Sequence, residues 1–276
     1  MKPLAVVTGA TSGIGRATAQ RLCADYHVIG TTRNPESVSD AIAGVTYLGL
    51  DLQDPDSIER CAEEILAVGT PEVVANNAGE SQSGPFEELP REALERLFQV
   101  NVIGHVDLTQ RLAPAMRDAG RGRVIMVGSM LGSFPLAYRS SYVASKAAIK
   151  GFALAARREY SPFGVWFSVV EPGSIATGLS ARRTKYVDEG GPFVEEFSRM
   201  LEQLDANERS GISAERVAKQ IARAVEAQVP KPFFTRAVPR RGWPFRWRAL
   251  CPGNGCSTSS LANMRFSHIG CGVSHV

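Results

Sequence analysis

A chain of 276 residues with 44% hydrophobic and 21% charged side chains has the size of one α/β domain and an ordinary globular composition, which excludes a disordered or fibrous polypeptide. No stretch of 18 uninterrupted apolar residues is present to span a bilayer, and an apolar strand already at Pro3–Thr8 leaves no room ahead of it for a signal peptide, so a cytoplasmic protein is expected. The net charge of +3 is unevenly placed: residues 231–276 carry seven Lys and Arg and no carboxylate, which leaves the rest of the chain at −4, the wrong sign for a nucleic-acid surface.

Up to about residue 170, short apolar runs alternate with amphipathic stretches, the pattern of βαβ units in a parallel sheet. The predicted strands are Leu4–Val7, His27–Thr32, Thr46–Leu50, Glu72–Ala75, Arg123–Val127 and Val165–Val170, with a last one at Pro232–Thr235. Helices are predicted at Ile14–Ala24, Ser57–Ala67, Arg91–Ala119, Ser140–Tyr160 and Ala214–Ala227, with Asp54 ahead of Pro55 and Ser213 ahead of Ala214 as N-caps. Right-handed crossovers put helices on both faces, so the fold class is a doubly wound, Rossmann-type α/β domain over residues 1–235. Within it, residues 178–211 form a charged insertion whose Phe193, Phe197, Met200 and Leu201 share a helical face, a segment expected to cover a site at the strands' carboxyl ends.

After Thr235 the periodicity gives way to Pro, Gly, Arg and Cys. At the body's carboxylate frequency, 28 in 230, the last 46 residues should hold about five or six, and they hold none. Residues 236–276 therefore read as an atypical, poorly ordered basic tail, either a shifted reading frame or a genuine interaction tail. The five cysteines, Cys23, Cys61, Cys251, Cys256 and Cys271, show neither metal-site spacing nor a disulfide framework, so no metal is expected.

The first strand runs into Thr8-Gly9-Ala10-Thr11-Ser12-Gly13-Ile14-Gly15 and then opens a helix. Glycines at such a turn let backbone approach a pyrophosphate, whose charge is met by the unpaired N–H groups and positive end of the helix. The second strand ends Gly30-Thr31-Thr32-Arg33, with no carboxylate to bind ribose hydroxyls and a guanidinium suited to a 2′-phosphate, which favours NADP(H) over NAD(H). Arg16 is a weaker candidate for the same phosphate.

The Gly-x-x-x-Gly-x-Gly spacing is followed by Asn76-Asn77-Ala78-Gly79, Asn101, Ser129, Tyr142-x-x-x-Lys146 and Pro172-Gly173, each on its expected element. In these motifs the chain resembles the short-chain dehydrogenase/reductase family over residues 3 to about 177. The resemblance implies a hydride transfer between NADP(H) and a small-molecule carbonyl or alcohol, with Asn101, Ser129, Tyr142 and Lys146 catalytic. It assigns cofactor contacts to Gly9, Thr11, Ser12, Gly13, Ile14, Gly15 and Arg33, to Asp51 and Leu52 at the adenine edge, and to Asn76, Ala78 and Gly79, with a bracing role for Asn76 equally open. Tyr142 and Lys146 would meet the nicotinamide ribose, and Pro172, Gly173, Ile175 and Thr177 the carboxamide.

The chemistry is consistent with those roles. Hydride addition to a carbonyl leaves charge on oxygen, and Tyr142 is the candidate acid. A phenol ordinarily titrates near pH 10, so it needs a neighbouring cation, which Lys146 provides one helical turn away. Ser129 would fix the substrate oxygen, Asn101 would hold a water that relays protons from Lys146, and His105 reads as a packing histidine. Met130, Leu131, Phe134, Leu136 and Tyr138 would form an apolar wall. Thr32-Arg33-Asn34-Pro35, Val170-Glu171-Pro172-Gly173 and the long segment after Thr177 look more like hydroxysteroid and retinol dehydrogenases than ketoacyl carrier-protein reductases, which points to a lipophilic substrate. The alternatives are a ketoacyl thioester reductase and a non-catalytic NADP(H)-sensing or scaffold protein; a homodimer or homotetramer is the assembly the resemblance suggests.

Overall fold

Leu4–Val7 (β1) is four apolar residues, all buried, and only the centre of a sheet covered on both faces accommodates such a run. Its side chains alternate: Leu4 and Val6 enter one core, Ala5 and Val7 the other. In the computed structural model, which describes residues 2–176, 178 and 180–235, the remaining strands are β2 (His27–Thr32), β3 (Val45–Gly49), β4 (Pro71–Asn76), β5 (Gln82–Ser83), β6 (Gly122–Val127), β7 (Val165–Glu171), β8 (Thr184–Lys185) and β9 (Phe233–Thr235). Seven of them form one parallel sheet in the order β3-β2-β1-β4-β6-β7-β9. The chain leaves β1 to one side for β2 and returns to its other side for β4, which creates a switch point where strand ends open a crevice.

Helices α1 (Gly13–Leu22), α2 (Pro55–Val68), α3 (Arg91–Phe98), α4 (Gly104–Asp118), α5 (Ser140–Tyr160), α6 (Val194–Arg209) and α7 (Ala214–Glu226) complete the layers. Ile58 and Ile65 of α2, Leu108 and Leu112 of α4 and Ile149 of α5 fill the core with Leu4 and Val6; Leu22 of α1 and Val217 and Ile221 of α7 fill the other with Val7. Asp54 caps α2 as expected, its carboxylate accepting from the Asp56 N–H at 3.0 Å. Ser213 precedes α7, but its hydroxyl makes no capping bond. Among the described residues no helix is long and apolar enough to cross a membrane.

Two features depart from the sequence expectation. The single helix expected over Arg91–Ala119 is two, joined by a π-helical turn at Gln99–Ile103. There Gln99 donates to the Leu52 carbonyl at 3.0 Å, and a Cβ on Gly104 would lie 2.6 Å from that oxygen, so close packing replaces regular winding. The second departure is the β5–β8 pair, each strand too short to leave a periodic signal. The expectations for residues 236–276 and for Thr177 lie outside the described residues.

Candidate active site

At the end of β1, Gly9 and Gly13 adopt left-handed φ of +67° and +52°. A Cβ on Gly15 would sit 2.2 Å from the Gly9 carbonyl, so the turn closes only with glycine there. The Thr8 hydroxyl accepts from the N–H groups of Asn77 and Ala78 at 2.8 and 3.0 Å, and the Asn77 amide donates to the Thr8 carbonyl at 2.9 Å. These bonds fasten β4 to the glycine loop, beside the opening of α1, whose N-cap Ser12 makes no side-chain bond to the first turn. Such a cradle, with helix N–H groups facing outward, fits the pyrophosphate of a dinucleotide. The bracing residue is Asn77, which the sequence argument passed over. Asn76 lies in the core, its amide donating to the Thr109 hydroxyl at 2.8 Å.

Arg33 lines a cleft of about 610 Å³ with Asp51, Ser57 and Arg60. Ser57 donates nothing to Asp51's carboxylate; its hydroxyl instead accepts from the Asp51 N–H at 3.0 Å, while Asp51 Oδ1 accepts from the Gln53 N–H at 2.9 Å. Leu52 is buried in the core and its carbonyl is taken by Gln99, so it does not line this cleft. Arg16 pairs with exposed Asp40, at 2.7 Å to its carboxylate and 2.6 Å to its carbonyl, and Arg60 lies 3.7 Å from the Asp54 carboxylate. Arg60, on α2, is a second cation of the cleft that periodicity alone presents as a surface residue.

Across the switch point, α5 presents Tyr142 and Lys146, both buried, on one face. The Lys146 ammonium lies 5.8 Å from the centre of the Tyr142 ring and donates to the Val127 carbonyl at 3.1 Å. Asn101, fully buried in the π turn, accepts from the Glu80 N–H at 2.9 Å and donates to the Glu80 carbonyl at 3.0 Å and the Ser145 hydroxyl at 3.2 Å. A Cβ on Gly79 would lie 3.0 Å from Asn101 Oδ1 and 3.7 Å from Lys146 Nζ, so both side chains converge on that glycine. Arg96 grips the Glu80 carboxylate at 2.8 and 3.0 Å and secures the segment from outside.

Ser129 follows β6, and its hydroxyl accepts from the Leu131 N–H at 3.2 Å, which leaves its proton free to donate. The turn it caps is docked on α5: a Cβ on Gly132 would sit 2.9 Å from the Lys146 backbone. Buried Glu171, at the end of β7, accepts from Ser133 at 3.0 Å and pairs with Lys150 at 3.1 Å, fixing the same turn to α5. Pro172 accepts from the Met130 N–H at 3.0 Å, and Ile175 bridges to Ile212.

His105 is buried on α4; its Nε2–H donates to the Ala78 carbonyl at 2.7 Å and its Nδ1 lies 3.2 Å from the Asn76 side-chain oxygen. Burial, with the Lys146 charge adding to it, lowers its pKa to about 4 against the Ala78 bond, so it stays neutral near pH 7 and serves packing, as the sequence suggested.

The apolar wall is partly present. Tyr138, at φ +61°, stacks edge-on against Phe193 and Phe197 at 6.4 and 5.7 Å, whereas Phe134 is half exposed. The 178–211 segment is tied down by β8 pairing with β5, by buried Phe197 and Leu201, and by Arg183, which pairs with Asp205 at 2.7 Å and Glu208 at 2.5 Å. Next to it lies Arg139, which the sequence argument also missed because a basic residue opening a helix reads as solvated. It is buried, donates from Nη1 to Ser81 Oγ, the Gln82 carbonyl and Ser83 Oγ at 2.9 to 3.0 Å, and lies over the Tyr142 ring at 4.3 Å.

Residues 3–187 match the short chain dehydrogenase family. A 3-ketodihydrosphingosine reductase of Bacteroides thetaiotaomicron is 31% identical over 244 residues, covering 87% of this chain and 89% of its own. A 3-oxoacyl-[acyl-carrier-protein] reductase, MabA, of Mycobacterium avium is 33% identical over 67% of this chain and 72% of its own. Among solved structures, a short-chain dehydrogenase of Streptomyces avermitilis superposes with a TM-score of 0.76 at 31% identity, covering 86% of this chain and 88% of its own. A metagenomic short-chain oxidoreductase in complex with NADP superposes with a TM-score of 0.67 at 26% identity, covering 86% and 98%.

Proposed function

The chain belongs to the short chain dehydrogenase family, and from that premise we propose that it is an NADP(H)-dependent oxidoreductase that interconverts a lipophilic ketone and its alcohol, with Tyr142 as the general acid and base. The convergence of Lys146 and Asn101 beside Gly79, with the Tyr142 ring 5.8 Å from the ammonium and the glycine loop adjoining, carries this reading.

When bound, a nicotinamide cofactor supplies the hydride to the carbonyl carbon, or takes it back from the alcohol. Ser129 donates its free proton to the substrate oxygen and holds it in reach of Tyr142. Tyr142 gives its phenolic proton as the carbon–oxygen π bond breaks, and the Lys146 ammonium stabilises the phenolate left behind. The Asn101 amide, engaged by Glu80 and Ser145, fixes the segment beside Lys146, where a water would pass on the proton that replaces the one Tyr142 gives up.

NADP(H) is favoured because Thr32 stands where a carboxylate would repel a 2′-phosphate and both Arg33 and Arg60 line the adjoining cleft. An NADP complex of a relative at 26% identity supports the same choice. The names of two relatives specify 3-keto and 3-oxo substrates on a sphingoid base and an acyl chain. They favour a ketone near the polar end of an aliphatic chain over a steroid or retinoid. A turnover screen with NADPH against 3-keto sphingoid bases, 3-oxoacyl thioesters, ketosteroids and retinal tests this. Activity rising with chain length in either of the first two classes is the expected result; turnover confined to the ring systems would overturn the substrate reading.

A further inference from the structure

Arg139 holds a guanidinium in an unusual setting. Its residue is 2% exposed, the two N–H bonds of Nη1 are shared among three neutral oxygens on Ser81, Gln82 and Ser83, and its Nε is buried without a partner. The nearby carboxylates, Asp205 and Glu208 of α6, are both paired to Arg183. The group this cation lies against is the face of Tyr142, 4.3 Å from the ring centre, closer than Lys146 at 5.8 Å.

We infer that Arg139 is a positioning residue for the proton donor: it clamps the Tyr142 ring by its face and adds a second positive charge that stabilises negative charge as it develops on the phenol. The inference rests on the proton-donor reading of Tyr142. An aromatic ring that gains electron density attracts a cation over its face more strongly, so the contact strengthens as the proton leaves. Charge facing the pair comes from Lys146 on α5, from Arg183 ahead of β8, and from Asp205 and Glu208 on α6, whose carboxylates offset part of the added positive charge. Burial lowers the Arg139 pKa to about 10, so the guanidinium remains charged through the neutral range. A methylene-bearing or neutral side chain could fill the volume, but a mere spacer needs no anchor on Ser81 and on Gln82 and Ser83 of β5.

The test compares pH profiles of NADPH-dependent reduction for wild type, Arg139→Gln, Arg139→Lys and the double variant Ser81→Ala/Ser83→Ala, with Tyr142→Phe in parallel. In Arg139→Gln the alkaline limb should move up by roughly one pH unit, the low end for an opposite charge at this distance because α6 offsets it. Its kcat should fall more than KM changes, and NADPH affinity should hold. Arg139→Lys should keep the limb near wild type. The double variant leaves α5 intact, and loosening the guanidinium should shift the limb the same way by less, which carries the test if Arg139→Gln does not fold. An unmoved limb with Tyr142→Phe inactive overturns the role of Arg139 alone. Substantial turnover by Tyr142→Phe overturns the proton-donor reading beneath it.

Discussion

Asn101 holds Glu80 at both ends of one peptide unit: Oδ1 accepts its N–H at 2.9 Å and Nδ2 donates to its carbonyl at 3.0 Å. The pair closes the segment after β4 onto the π turn, within reach of Lys146 through Gly79. Asn101→Ala leaves a part-buried N–H and carbonyl without these partners, so unfolding free energy should drop by about 1 kcal/mol or more. Urea titration checks this, and kcat should fall with it because the segment that faces Lys146 loses its tie.

The cofactor cleft gives a charge-specific outcome. Arg33→Ala should weaken NADPH about 10- to 100-fold, the scale of a lost charge-assisted hydrogen bond, and leave NADH affinity nearly unchanged. Fluorescence titration with both nucleotides reads the difference, and equal losses would remove Arg33 from the phosphate site. Arg16→Ala should leave both affinities alone, because Arg16 is bound to Asp40.

His105 makes stability depend on pH in a defined window. Its imidazole protonates near 6.5 in the unfolded chain but only at about 4 when folded. As pH falls through that interval the unfolded state binds the extra proton, so stability present above pH 6.5 is lost, by on the order of 3 kcal/mol in total. His105→Gln should flatten the fall in thermal midpoint between pH 6.5 and 4; an unchanged slope would assign it to other groups.

The basic tail has a simple test as well. The sequence of residues 236–276 shows no apolar periodicity, and on that reading we propose that the domain stands without them. Truncation after Ala237 should therefore leave the thermal midpoint and NADPH turnover as in the full chain, and a large loss in either would make the tail an integral part of the enzyme.

Most of the sheet was legible because β1, β2, β4, β6 and β7 are apolar runs buried on both faces, and burial of that kind writes itself into composition. The glycine loop and Tyr142-x-x-x-Lys146 were legible because the chemistry constrains residue type and spacing together. What the sequence hid were contacts between distant segments. Asn77 could not be told from Asn76, since adjacent strand residues face opposite ways and only the register with Thr8 decides which braces the loop. The π turn is a packing compromise at Leu52 and Gly104, and Arg139 takes its surroundings from Ser81–Ser83, about 57 residues upstream.

The account turns on the phenolic proton of Tyr142, and single-turnover reduction by Tyr142→Phe measures it most directly. With NADPH affinity verified by titration, the variant should transfer hydride at a rate lowered by roughly 10²- to 10⁴-fold, while folding and cofactor binding stay intact. A variant that binds NADPH normally and keeps more than about half the wild-type rate, against that expected loss, would contradict the mechanism.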